Sequence, residues 1–411
     1  MQQIDKNHPL VDGIFLLKLA TPSQPSLIAM SEGNCNIIED IQALEFCTPT
    51  SEIKIYEDCT FVFNNGDVFY YTLYFHHKQE TYELIIKSYQ RCVSFFLNFL
   101  NQLFMIFSDV KTAYDPDNFF NLAKILTSDW PTDLYDNMKI VFPYSMHSIE
   151  FTTPDFTYHH FKRSIYFDTK LHLKIFSYLF AMKPILVVAP DASIGCRACF
   201  SILSFMHPLR YVEPFIFWLR KGDQRYDEIK KGEGKSPYLV VVTDAADEIQ
   251  SKFDLVVSVT EISKNDSKFD SDFENFVKKI LLAIQDQLVS LITKNPYSDI
   301  LNLPFTDKNM EEIMKDPKFK FMPSLNILKI FEKSKTSKNW RFRRCNKEIM
   351  RNAILQCGEV NFEELSKDQL EIIIKYIKSV KKDFENDMHV SAVIKKHSSI
   401  ISSILAKENS K

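Results

Sequence analysis

The chain has 411 residues, with 50 Lys+Arg against 53 Asp+Glu, 45% hydrophobic residues, 13% aromatic ones and only 8 glycines. Its length leaves room for two or three domains with sizeable cores. So little glycine, where soluble proteins average about 7%, excludes phosphate-cradling loops, dinucleotide fingerprints and Gly-rich low-complexity segments, which all depend on that residue's backbone freedom.

A net charge of −3 argues against bulk electrostatic binding to nucleic acid. Eight cysteines scattered over a long chain, behind the polar start MQQIDKNHPL, read as free thiols of a cytosolic, soluble protein with no secretory signal. The best membrane-span candidate, Cys92 to Ser108, is short for a span and carries Asn98, Asn101 and Gln102. A buried helix explains it better.

In chain order, Gly13 to Ala20 and Ser26 to Ser31 are apolar runs separated by the turn chemistry of Thr-Pro-Ser-Gln-Pro. Asn36 to Phe46 can form a short helix. Thr60 to Asn64 meets Asn65-Gly66-Asp67, a hairpin signal, and Val68 to His76 returns. Tyr82 to Tyr89 is the next strand, running into a helix over Cys92 to Phe107 whose phenylalanines recur at helical spacing. An antiparallel sheet with helices packed on it follows. Residues 109–157, with prolines at 116, 131, 143 and 154, read as a connection with some helix.

Beyond Phe167 helices and strands alternate. A helix over Leu171 to Met182 ends at Lys183-Pro184, and Ile185 to Ala189 is a buried strand. Asp191 or Ser193 caps a helix to about Met206. Tyr211 to Leu219 contains Pro214, so it is an imperfect or edge strand. Tyr238 to Thr243 and Leu255 to Val259 complete a sheet that alternation with helices makes parallel. After Glu261 helices take over. Ser271 and Glu274 form a capping box for a long helix to Lys294, helices are expected at Leu325 to Glu332 and Lys347 to Gln356, and Ser366 with Gln369 opens another to Glu385.

Few constellations point to chemistry. Gly234-Lys235-Ser236 lacks the upstream glycine of a phosphate loop, and Pro237 blocks the helix that should follow. Cys196 and Cys199 are CxxC-spaced near a helix start, where a thiol can be acidified, but no second ligand pair stands at zinc spacing. Buried structural cysteines fit better. The doublets His76-His77 and His159-His160 lack the spacing of a helical metal pair, and the chain has no G-x-S-x-G or HExxH motif. No catalytic residue, metal or cofactor is expected. The run KSKTSKNWRFRRCNK carries Lys333, Lys335, Lys338, Arg341, Arg343 and Arg344 with Trp340 interleaved. It reads either as a patch for an anionic membrane or acidic partner, or as a solvated loop between helices.

Several blocks carry a resemblance. Lys183 to Leu219, then Ser236 to Thr243 and Phe253 to Thr260, resemble the central block of DENN domains. Leu44 to Pro49 resembles the "FC-P" signature of the upstream DENN module, Phe61 to Phe75 its central hairpin, and Ile85 to Leu103 its last strand and helix. The resemblance covers residues 10–262, in order. Met182-Lys183 stands where the family has Arg-Arg, and Val242-Thr243-Asp244 replaces its "GxH", so the chain resembles a divergent member.

The implied fold class is α/β and α+β. A longin-like antiparallel sheet with helices occupies 1–130, a central α/β DENN module 131–262, and a helical region, standing where the downstream module would, 263–411. The implied function is guanine nucleotide exchange on a Rab-type small GTPase in vesicle traffic. By linkage, a protein that binds the nucleotide-free GTPase more tightly lowers nucleotide affinity by the same factor. A DENN-fold scaffold or effector on membranes is the alternative. A DENN-like GTPase-activating protein is a second one, and would want an arginine finger, for which Arg91 is the candidate. The expected partner contacts are His76, His77 and Lys78 at a hairpin end, and the polar turn Asp191, Ala192 and Ser193.

Overall fold

The computed structural model describes residues 10–19, 25–31, 58–90, 92–109, 115–128, 130, 138–141, 148–151, 167, 169–206, 209, 211–233, 239–259, 292, 296–297, 325–344, 347–358, 360–363 and 365–408. The chain forms two compact units, residues 2–207 with 213–270, and residues 208–212 with 271–411. Both sheets therefore belong to one unit.

The first unit opens with an antiparallel sheet of β1 (Gly13–Leu19), β2 (Pro25–Met30), β3 (Cys59–Asn65), β4 (Val68–His77) and β5 (Glu80–Ser88), in the order β2-β1-β5-β4-β3. Asn65-Gly66-Asp67 closes the β3–β4 hairpin, with Gly66 at φ 59, where a Cβ is disfavoured. α1 (Val93–Asp109) and α2 (Pro116–Ser128) cover one face. Phe96 stacks on Tyr71 at 4.3 Å between centroids, and Phe119 packs on Phe75 at 4.8 Å. Between residues 109 and 157 the chain adds the antiparallel pair β6 (Met138–Val141) and β7 (Ser148–Phe151), too short to announce itself in sequence. The expected helix over 36–46 and the block at 44–49 lie outside the described residues.

After α3 (Thr169–Phe180) comes a second, wholly parallel sheet. It holds β8 (Ile185–Val188), β9 (Phe215–Leu219), β10 (Leu239–Val242) and β11 (Leu255–Ser258), in the order β11-β8-β10-β9. β9 begins directly after Pro214 and lies at the edge, where the missing amide is tolerated. α4 (Ala192–Ser204) packs on the Val241 side, close enough that a Cβ on Gly195 would lie 2.5 Å from Val241 Cγ1. α5 (Gln224–Lys231) and α6 (Ala246–Ile249) cover the opposite side, where Tyr226, Ile229 and Ile249 pack on Leu186, Val240 and Val242.

The two sheets meet along their edge strands β3 and β9. Asn64 acts there as a surrogate strand. Its Nδ2 donates to Phe215 O and its Oδ1 accepts from Phe217 N, both at 3.0 Å, while Arg225 Nη1 donates to the Asn64 carbonyl at 2.6 Å.

The second unit is helical: α7 (Leu325–Glu332), α8 (Lys335–Arg344), α9 (Lys347–Gln356), α10 (Val360–Glu363), α11 (Lys367–Asp383) and α12 (Met388–Glu408). Ser366 and Gln369 form the expected capping box on α11. Ile354, Phe362, Leu370, Ile373, Ile394 and Ile401 are among its buried core. The expected helix over 271–294 lies outside the described residues, save Ile292. Among the described residues no helix is long and apolar enough to cross a membrane.

Candidate functional site

In the parallel sheet, neighbouring strands β8 and β10 send their following helices to opposite faces. That places a crevice at their C-terminal ends, the usual ligand position in open α/β sheets. Here the protein's own groups line it. Ala189 N donates to Val242 O at 3.0 Å, Trp218 Nε1 donates to Thr243 Oγ1 at 3.1 Å, and Tyr226 OH donates to Ala245 O at 2.7 Å. The N-terminus of α4 is capped by Asp191, whose Oδ1 accepts from Ile194 N at 2.7 Å. A carboxylate already holds the position a phosphate would take.

The two sequence-predicted contact segments converge through the start of β3. Asp58 Oδ1 accepts from His76 N at 2.8 Å and lies 3.0 Å from His76 Nδ1, tying the end of β4 to the start of β3. Cys59, next along, pairs in register with Tyr74. On its other side the Ser193 hydroxyl lies against the Cys59 thiol, with the Asp191 and Arg197 charges close by. The Tyr74 ring meets the His76 ring edge-on at 5.3 Å. Hairpin end and polar turn thus flank one patch.

The patch has a firm rim and a buried polar wall. His76 and Asp58 expose 42% and 33% of their side chains, and Lys78 is exposed. Lys78 and Gln79 form the two-residue β4–β5 turn with φ of 48° and 68°, a left-handed pair that suits the twist of a hairpin but is disfavoured without glycine or asparagine. Ala192 is wholly buried and Ser193 nearly so. Ala192 therefore has no surface to offer a partner, which corrects that expectation.

Burial governs the ionisable groups. It pushes the Cys59 thiol up to about 12, with Asp191 adding to the rise and Arg197 opposing it. Burial also pushes Cys196 up to about 12, and its Sγ donates to Val62 O at 3.7 Å. Both are protonated thiols, so the position near a helix start does not acidify Cys196. Burial likewise raises Tyr74 to about 12 and Glu83 to about 8, Arg220 only partly offsetting the latter.

Sequence reading missed Asp58, Cys59, Tyr74 and Glu83. Glu83 was the findable one, an acid in the apolar run YELIIKSY at an inward strand position. Among the described residues no group of three His, Cys, Asp or Glu is placed to hold a metal ion.

The basic run is not a loop. It forms α8, with Ser334 Oγ accepting from Ser337 N at 3.0 Å at its start. Trp340 is 6% exposed and Arg341 is fully buried, donating from Nη2 to Glu332 O at 3.0 Å. Neither can settle at a membrane surface, because ridges of the helix that carry them pack into the core. Lys333 and Lys335 are exposed and Lys338 is half-buried. The side chains of Arg343 and Arg344 lie outside the described residues, as do Arg91, Gly234-Lys235-Ser236 and His159-His160.

No protein-family model matches the chain, and no curated protein matches it either.

Proposed function

We propose that the chain is a divergent DENN-type protein that promotes nucleotide release from a Rab-type small GTPase. The observation that carries this reading is the order of architectures. A five-stranded antiparallel sheet with two following helices precedes a parallel α/β sheet, and a helical unit comes last. That is the order expected of a longin-like module, a central DENN module and a helical region. The chemistry supports the same reading. The α4 N-terminus is occupied by Asp191, and the thiols at the patch are protonated. What the surface offers is shape and polar contact, and an exchange factor needs only tighter binding to the nucleotide-free GTPase. The partner would rest on the rim of His76, Lys78 and Asp58 beside Asp191.

The test is release of fluorescent GDP from a panel of purified Rab proteins with and without the full chain. Acceleration of at least one Rab is expected. Capture of a nucleotide-free Rab without acceleration would replace exchange by a scaffold role, and neither acceleration nor capture would overturn the proposal.

A further inference from the structure

Glu83 is the most unusual group in the first unit. It lies in β5, between Leu17 of β1 and Tyr74 of β4, and has no exposed surface. Neither carboxyl oxygen has a hydrogen-bond partner among the described residues. The hydroxyl of Thr72, on the same face of β4, is also buried without one. A carboxylate so placed would forfeit several kcal/mol of hydration, so the group stays a neutral acid or the site changes.

The groups facing it can be named element by element. β4 contributes Tyr74, β3 contributes Cys59, and β1 contributes only the apolar Leu17. Among the described residues Arg220, directly after β9, is the charge acting on it. Asp191 and Arg197 of the α4 region act on Cys59 beyond. Lys87, further along the same face of β5, is engaged with Asp12 at 3.0 Å. Among the described residues Arg220 is thus the one cation that favours a charge on Glu83, and it offsets the cost of burial only in part.

We propose that Glu83 is a proton-linked latch behind the patch: as the neutral acid it keeps the start of β3, the end of β4 and the first turn of α4 packed together, and its ionisation loosens that packing. The ordinary glutamate value is 4.5, and burial raises Glu83 to about 8. Between these values the unfolded chain has lost the proton and the folded chain keeps it. Stability from this group is therefore greatest at low pH and falls as pH rises to about 8, where the folded group itself ionises. The inference does not depend on exchange activity, since the test reads the fold alone.

The experiment is hydrogen–deuterium exchange and thermal unfolding of the full chain from pH 5.5 to 9, corrected for intrinsic amide exchange, against Glu83→Gln. The wild type should lose about 3–6 °C of Tm relative to the variant across this range. Its amides at 59–62, 74–77 and 193–197 should exchange faster above pH 8, while those of the variant stay flat. Parallel pH profiles for the two proteins would overturn the proposal. Should Glu83→Gln not fold, Glu83→Leu serves as the reference, and wild-type amides that do not speed up between pH 7 and 9 are by themselves enough to reject it.

Discussion

The side-chain carbonyl of Asn64 accepts the backbone N–H of Phe217 at 3.0 Å, so a side-chain amide on the edge strand of one sheet completes the edge of another 153 residues away. Asn64→Ala would strand that N–H and the carbonyl of Phe215 in a buried joint. The expected loss is about 2–4 kcal/mol, read as a lower urea midpoint of the full chain.

At Gly195 α4 lies close against β10. A methyl there would sit 2.5 Å from Val241 Cγ1 and 3.2 Å from Ala189 Cβ. Gly195→Ala should destabilise by about 1–3 kcal/mol through overpacking. Gly195→Ala combined with Val241→Ala should be less destabilised than the sum of the singles, since the second change removes the clashing atom.

At the hairpin tip, fold and function should part company. Replacing Lys78 and Gln79 by Asn-Gly relieves two left-handed non-glycine residues, a gain of about 1–2 kcal/mol, seen as a higher Tm. If the tip is the partner surface, Lys78→Glu should leave Tm unchanged and slow GDP release about tenfold, the equivalent of about 1.4 kcal/mol.

Trp340 distinguishes packing from membrane contact. Trp340→Ala should destabilise the helical unit by about 3–5 kcal/mol. Reversing Lys333 and Lys335 together should leave stability within about 0.5 kcal/mol and reports on anionic liposomes without disturbing the core.

Glu248 titrates in the opposite sense to Glu83. Hydrogen bonds from Lys221 and Lys230 hold its carboxyl down at about 2. The stability it adds is present above the ordinary 4.5 and is lost as pH falls toward 2. The Tm difference between wild type and Glu248→Gln should therefore shrink steadily below pH 4.5.

Local signals carried most of the architecture. Asn65-Gly66 marked its hairpin, Pro184 preceded β8, and Ser366-Gln369 opened α11, whereas the strand expected from Tyr211 begins only after Pro214. Those cues act within a few residues, so they survive folding. The patch did not announce itself in that way. Asp58 and Cys59 matter only because β3 pairs with β4 and α4 lands beside both, a long-range arrangement with no local trace. The basic run misled because charge counts do not report direction. Helical periodicity turns Trp340 and Arg341 inward while Lys335 faces out.

One connection also constrains how the protein is made. Residues 208–212, between α4 and β9, belong to the helical unit, and Val212 N donates to Thr336 Oγ1 at 3.1 Å, 124 residues later. On the ribosome, α4 and β9 emerge with that linking segment still waiting for its hydrogen-bonding partner. No single cut separates the units cleanly: a fragment ending at 270 would release its sheets but expose Tyr211, which is fully buried in the whole chain. The residues that begin α8 are needed before the segment between α4 and β9 is finished.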